Sequence, residues 1–97
     1  GESMITWEWL KHKKLVDISL KKRWEKDIMV LYGKELDICY LNKIGGEIIS
    51  LSNCKNTASD IADMLLQTYD VDENELREDI LCLIRELQWK RLVRLEE

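Results

Sequence analysis

The stretch Lys34–Ile49, KELDICYLNKIGGEII, changes its period in the middle. Leu36, Ile38 and Tyr40 recur at every second residue, the spacing of a strand, and the sequence leaves open which face of the sheet meets the helices. Ile44, Ile48 and Ile49 recur at helical spacing, and Asn42 stands at the junction, where its side chain suits a helix N-cap. The stretch predicts a strand running straight into a helix that extends from Asn42 to Leu51. Gly45 and Gly46 weaken that helix by roughly 1 kcal/mol each against alanine. They are therefore expected to be seats, where a missing side chain lets another element approach the backbone.

Working outward, DIMVLY (27–32) and ELDICYL (35–41) read as a hairpin turned by Tyr32-Gly33-Lys34-Glu35, with Gly33 able to take a positive φ. KLVDISL (14–20) predicts a further strand, alternating either as Leu15 and Asp17 or as Val16, Ile18 and Leu20. ITWEWL (5–10) fits a strand through Trp7 and Trp9, or a helix through Trp7 and Leu10. Downstream, Thr57 with Asp60 approaches a capping box before the stripe Ile61, Met64, Leu65 and Tyr69. The last helix is expected from Asp72 to Arg91. Asp72 caps it, Glu75 stands at N3, and Val71 and Leu76 are placed for a hydrophobic staple. Its acidic opening and its basic end, Lys90, Arg91 and Arg94, both suit the helix dipole. Leu76, Ile80, Leu83, Ile84 and Leu87 form the core stripe, with Leu81 on a shoulder beside Arg77, Ile84 and Gln88. RLVRL (91–95) either ends this helix or forms a short strand. The sum is an α+β chain, a winged helix–turn–helix: a small antiparallel three-stranded sheet followed by three helices, with 57–69 and 72–91 as the helix–turn–helix pair.

The chain has 97 residues, enough for one domain. Gly1-Glu2-Ser3 before Met4 reads as a cloning remnant, 4–14 as an N-terminal extension and 15–97 as the domain. Apolar runs fall far short of the roughly 18 residues a transmembrane helix needs, and no basic-then-apolar leader opens the chain, so a cytoplasmic protein is expected. Cys39, Cys54 and Cys82 form no CxxC pair, and His12 is the one histidine, so no zinc site can be drawn. Cys39 and Cys82 are expected as small half-buried hydrophobes. There is no GxSxG, HExxH, Walker loop or GxGxxG, and no base stands ready for a nucleophile. The composition points to a binding module rather than an enzyme.

The net charge of −4 is split: Lys11 to Lys26 is mostly basic, and Asp60 to Asp79 mostly acidic. A helix–turn–helix pair invites DNA, but DENELRED (72–79) would bring Asp72, Glu73, Glu75, Glu78 and Asp79 to the phosphates. A DNA-binding regulator using segment 11–26 as an arm is the alternative reading, and a dimerisation module is a third. The sheet offers a different ligand. Lys34–Leu41 suits an open edge beside the last helix, where an antiparallel peptide gains main-chain hydrogen bonds and the groove toward the helix supplies pockets. The N-terminal segment or a second copy of the chain could instead cover that edge.

In their order, LNKIGGEIISL (41–51) and TASDIADMLLQTYDVDENELREDILCLIRELQWKRLV (57–93) resemble the PqqD-like proteins, also called RiPP recognition elements. The resemblance rests on Leu41-Asn42, the small pair Gly45-Gly46, Thr57 with Asp60-Ile61-Ala62, Tyr69-Asp70-Val71-Asp72, and Leu76 with Asp79-Ile80, and it covers Asp27 to Val93. It implies a winged-helix domain that binds no DNA and grips the leader of a ribosomally made precursor peptide. Such a domain presents the leader to a separate tailoring enzyme: a radical-SAM maturase, a cyclodehydratase or a leader peptidase. The leader is implied to add to the third strand, over a groove made with the third helix. On this chain the implied contacts are Leu36, Asp37, Ile38, Cys39 and Tyr40 on the strand. On the helix the candidates are Arg77, Leu81, Ile84, Arg85 and Gln88. Arg77 and Arg85 would pair with acidic leader residues, or else with carboxylates of their own helix. No cofactor, metal, DNA or membrane is implied, and the chain is expected as a monomer or homodimer. Two features depart from the family pattern: no proline precedes the first strand, and Trp7–Lys14 is an unusual extension.

Overall fold

The computed structural model describes residues 6–34 and 37–97. Its elements, in chain order, are α1 (Trp7–Leu10), β1 (Lys14–Asp17), β2 (Lys21–Glu25), β3 (Ile28–Tyr32), β4 (Ile38–Leu41), α2 (Lys43–Ser50), β5 (Asn53–Thr57), α3 (Ala58–Thr68), α4 (Glu73–Trp89) and β6 (Val93–Glu96). Every strand pair is antiparallel, in two sheets ordered β5-β1-β6 and β2-β3-β4. Among the described residues no helix is long and apolar enough to cross a membrane.

The winged-helix α+β class is present, with α2, α3 and α4 following the β3–β4 hairpin, but the strands are distributed differently from the expectation. The strand expected at 14–20 shortens to β1 and pairs with β5 and β6 rather than with the hairpin. The third strand of the hairpin's sheet is β2, Lys-Lys-Arg-Trp-Glu, in which every residue is exposed. Without alternating burial it carries no period-two signal. A two-residue turn at Lys26-Asp27 joins it to β3, with Lys26 at φ 56°, the sign a tight hairpin demands. Trp7–Leu10 resolves as a short helix capped by Thr6, and RLVRL as the start of β6 after Arg91 takes φ 58°.

Expected caps form. Asn42 Oδ1 accepts from Gly45 N–H at 2.8 Å, Thr57 and Asp60 complete a capping box, and Asp72 accepts from Glu75 N–H at 3.0 Å. Gly33 N–H donates to the Asp37 carbonyl at 2.8 Å and closes the β3–β4 hairpin. Its φ is not positive; what it needs is space, because a Cβ there would lie 3.2 Å from Leu92 Cδ2. Glu35 and Leu36, in the expected turn and strand, lie outside the described residues.

The register Leu31↔Cys39 and Met29↔Leu41 decides which face of the sheet meets the helices. These four side chains belong to the buried core, while Ile38 and Tyr40 point outward at 50% and 67% exposure. Leu10 of α1 and Leu15 of β1 enter the same core, each fully buried, so the N-terminal segment packs as part of it. Gly46 is the seat. A Cβ there would collide with the Trp24 ring of β2 and approach Met29 Cβ to 2.7 Å, so the sheet rests directly on the α2 backbone. Gly45 is less tight, with Leu41 Cβ at 3.2 Å.

Gly46→Ala should therefore destabilise by roughly 1–2 kcal/mol, an overpacking cost of about 1–3 reduced by the gain in helix propensity. Gly45→Ala should cost less. Urea unfolding of both variants checks the order, and a Gly46→Ala protein as stable as the parent would contradict the seat.

Candidate functional site

Antiparallel ladders alternate between residues that exchange main-chain bonds and residues that do not. The Gly33–Asp37 bond fixes the phase, so Cys39 and Leu41 face β3 with their main chain. The N–H and C=O groups of Ile38 and Tyr40 then point away from β3. Because β4 ends the order β2-β3-β4, no described strand receives them.

Across a groove of about 920 Å³ from this edge stand the end of α4 and β6. Lys34, Asp37 and Ile38 form one wall, and Gln88, Trp89 and Arg91 belong to the other. At the far end of β4 a hollow of about 380 Å³ is lined by Tyr40, Ile44, Asp79, Cys82, Leu83 and Glu86. Arg85 and Trp89 lie on the helix surface between the two, together with Cys82 and Gln88. Trp89 is 87% exposed, a large apolar ring on an otherwise polar face.

Among the sequence-derived candidates, Asp37, Ile38 and Gln88 line this groove, Tyr40 lines the hollow at the far end of β4, and Arg85 lies on the helix surface between the two. Cys39 belongs to the edge strand itself, with its side chain buried on the inner face. Three helix candidates sit elsewhere. Arg77 bonds Glu73 at 2.7 Å and lies 5.5 Å over the Trp7 ring, so it serves the α1–α4 contact. Ile84 is fully buried in the core, and Leu81, on the Arg77 shoulder, packs half-buried against that core. Leu36 is outside the described residues. The opposite shoulder, Asp79, Cys82, Glu86 and Trp89, was not among the expected contacts, although Trp89, two helical turns after Cys82, was a usable signal as an interface anchor. Cys82 is exposed, not half-buried.

Burial pushes the Cys39 thiol above its ordinary pKa, with Lys90 opposing and Glu86 reinforcing. The hydrogen bond from Lys90 to Glu86 at 3.0 Å raises the lysine, and Cys39 and Asp37 add to that. The acidic opening of α4, Asp72, Glu73 and Glu75, is exposed to solvent, a poor surface for phosphates.

A family model described as Coenzyme PQQ synthesis protein D (PqqD) matches residues 28–93. A solved structure of TbiB1 in complex with the TbiA(beta) leader peptide is similar in fold, at a TM-score of 0.71 over 81% of this chain and 93% of that one, with 22% sequence identity. No curated protein is similar enough to match.

The thiols give a check on this geometry. Maleimide at neutral pH should modify exposed Cys82 at least about tenfold faster than Cys39, which is buried and short of thiolate. The Cys39 rate should continue to climb as pH rises past the ordinary thiol range, because burial raises its pKa. Equal rates read by peptide mapping would contradict the inward orientation of Cys39.

Proposed function

The chain belongs to the PqqD family, and from that premise we propose that it is a non-catalytic recognition domain for the leader of a ribosomally made precursor peptide. The leader adds to β4 as an antiparallel strand, bonding the outward main chain of Ile38 and Tyr40. Its alternate side chains enter the groove bordered by Asp37, Arg85, Gln88 and Trp89, with Cys82 at the far end. The domain then hands the core peptide to a separate tailoring enzyme, of the radical-SAM, cyclodehydratase or leader-peptidase kind. A newly translated precursor meets it in the cytoplasm. The observation that carries the reading is the open β4 edge beside a groove. In support, a similarly folded protein, TbiB1, has been solved with a leader peptide. The exposed carboxylates at the start of α4 favour a peptide over duplex DNA.

The test uses the synthetic leader of a short precursor encoded beside the gene. Proline at position 38 removes an edge donor, while the β3–β4 bonds stay intact because they run through Cys39 and Leu41. Ile38→Pro should keep the fold and weaken leader binding about tenfold, the worth of one main-chain bond plus the lost fit. Cys39→Pro should instead destabilise the domain by breaking the ladder to β3. Unchanged affinity in a folded Ile38→Pro protein, measured by calorimetric titration, would contradict strand addition.

Occupancy also gives a chemical readout. Saturating leader should slow alkylation of Cys82 severalfold, and a leader that binds without shielding this thiol would place the peptide elsewhere.

A further inference from the structure

The groove beside β4 is electrically polar along its length. Where β4 begins, the lining carries Lys34, Lys90, Arg91 and Arg94 against the single carboxylate of Asp37. Where β4 ends, the lining carries Asp79 and Glu86 and no cation. Two of the cations are already engaged, Lys90 with Glu86 and Arg94 with Glu96. Arg91 belongs to neither pair. It is held in place just past α4, where Leu92 N–H bonds the Leu87 carbonyl at 2.8 Å and the φ of Arg91 is 58°. Lys90 and Arg91 also offset the negative pole of the helix they follow.

We propose that this gradient selects a peptide by charge order: an extended segment whose carboxylates lie in its C-terminal half, with neutral or basic residues in its N-terminal half. The proposal rests on the strand-addition reading above. Every strand pair among the described residues is antiparallel, the more stable arrangement per residue. β4 runs from the basic end of the groove to the acidic end, so an antiparallel ligand runs the opposite way. Its first residues meet Asp79, with Glu86 already paired to Lys90, and its last residues meet Lys34 and Arg91. A C-terminal Asp or Glu is attracted, and an N-terminal one is repelled. The same gradient disfavours the reversed strand, so charge fixes direction as well as composition.

The test is selection from a displayed random library of peptides about twelve residues long, enough for one strand and its flanks. The targets are the wild-type protein, the Lys34→Gln/Arg91→Gln double variant and Ile38→Pro, each shown by thermal melting to be folded. Binders to the wild type should carry Asp and Glu about fivefold more often in the C-terminal half than in the N-terminal half. That asymmetry should fade in the double variant and in high salt. Binders with no charge asymmetry, or the reverse one, that are lost in Ile38→Pro would overturn the charge order and leave strand addition standing. Binders indifferent to Ile38→Pro, or no enrichment on the wild type, would overturn both.

Discussion

The molecule depends on two N–H and two C=O groups that no described strand pairs. Sheet alternation sends the main chain of Cys39 and Leu41 to β3 and that of Ile38 and Tyr40 outward. Water satisfies those outward groups in the free protein, so a ligand exchanges one set of hydrogen bonds for another. The net gain is about 0.5–1.5 kcal/mol per bond. Four such bonds give a few kcal/mol, comparable to the lower estimates of about 4 kcal/mol for the freedom lost on association. Main-chain pairing therefore sets where and how a strand lies, and the groove wall of α4 must supply the rest. An 87% exposed Trp89 beside that edge is the sort of anchor this arithmetic requires.

An open edge is also a hazard, and the sheet handles its two margins differently. β2, at the other side, presents Lys21, Lys22, Arg23 and Glu25, all exposed, and charged residues of this kind discourage pairing. β4 presents Ile38 and Tyr40, which do not. The sheet is held in position because Trp24 and Met29 crowd the bare backbone of Gly46, which fixes the distance between the edge and the helices. The glycine costs α2 some intrinsic stability and returns a defined approach.

Most of the helical part of this account was legible in the sequence, because caps and stripes are local. Asn42, Thr57 and Asp72 each cap where their side chains suggested. The strand-to-helix switch at Asn42 and the period of two in β4 were equally local, but which face of β4 meets the helices was not legible: Cys39 and Leu41 turn inward, and Ile38 and Tyr40 outward. The strands β2 and β5 were not legible. One is uniformly exposed and the other is polar, with Cys54 at φ 69°, so neither shows a period. The wall of the groove was misassigned in part for a related reason. A helical stripe tells which residues enter the core, but not which of its two shoulders the hairpin approaches. That choice put Arg77 against Trp7 and left Cys82 and Glu86 sharing a hollow with Tyr40, and Trp89 a groove with Ile38. The resemblance noted in the sequence covers nearly the span that the family match covers, residues 28–93.

Amide hydrogen exchange by NMR tests the central claim most directly, since it reads each main-chain donor separately. In the free protein the amides of Ile38 and Tyr40 should exchange quickly while those of Cys39 and Leu41 are protected, and a bound leader should slow the first pair. Protection of Ile38 and Tyr40 before any peptide is added, or fast exchange at saturation, would contradict the account.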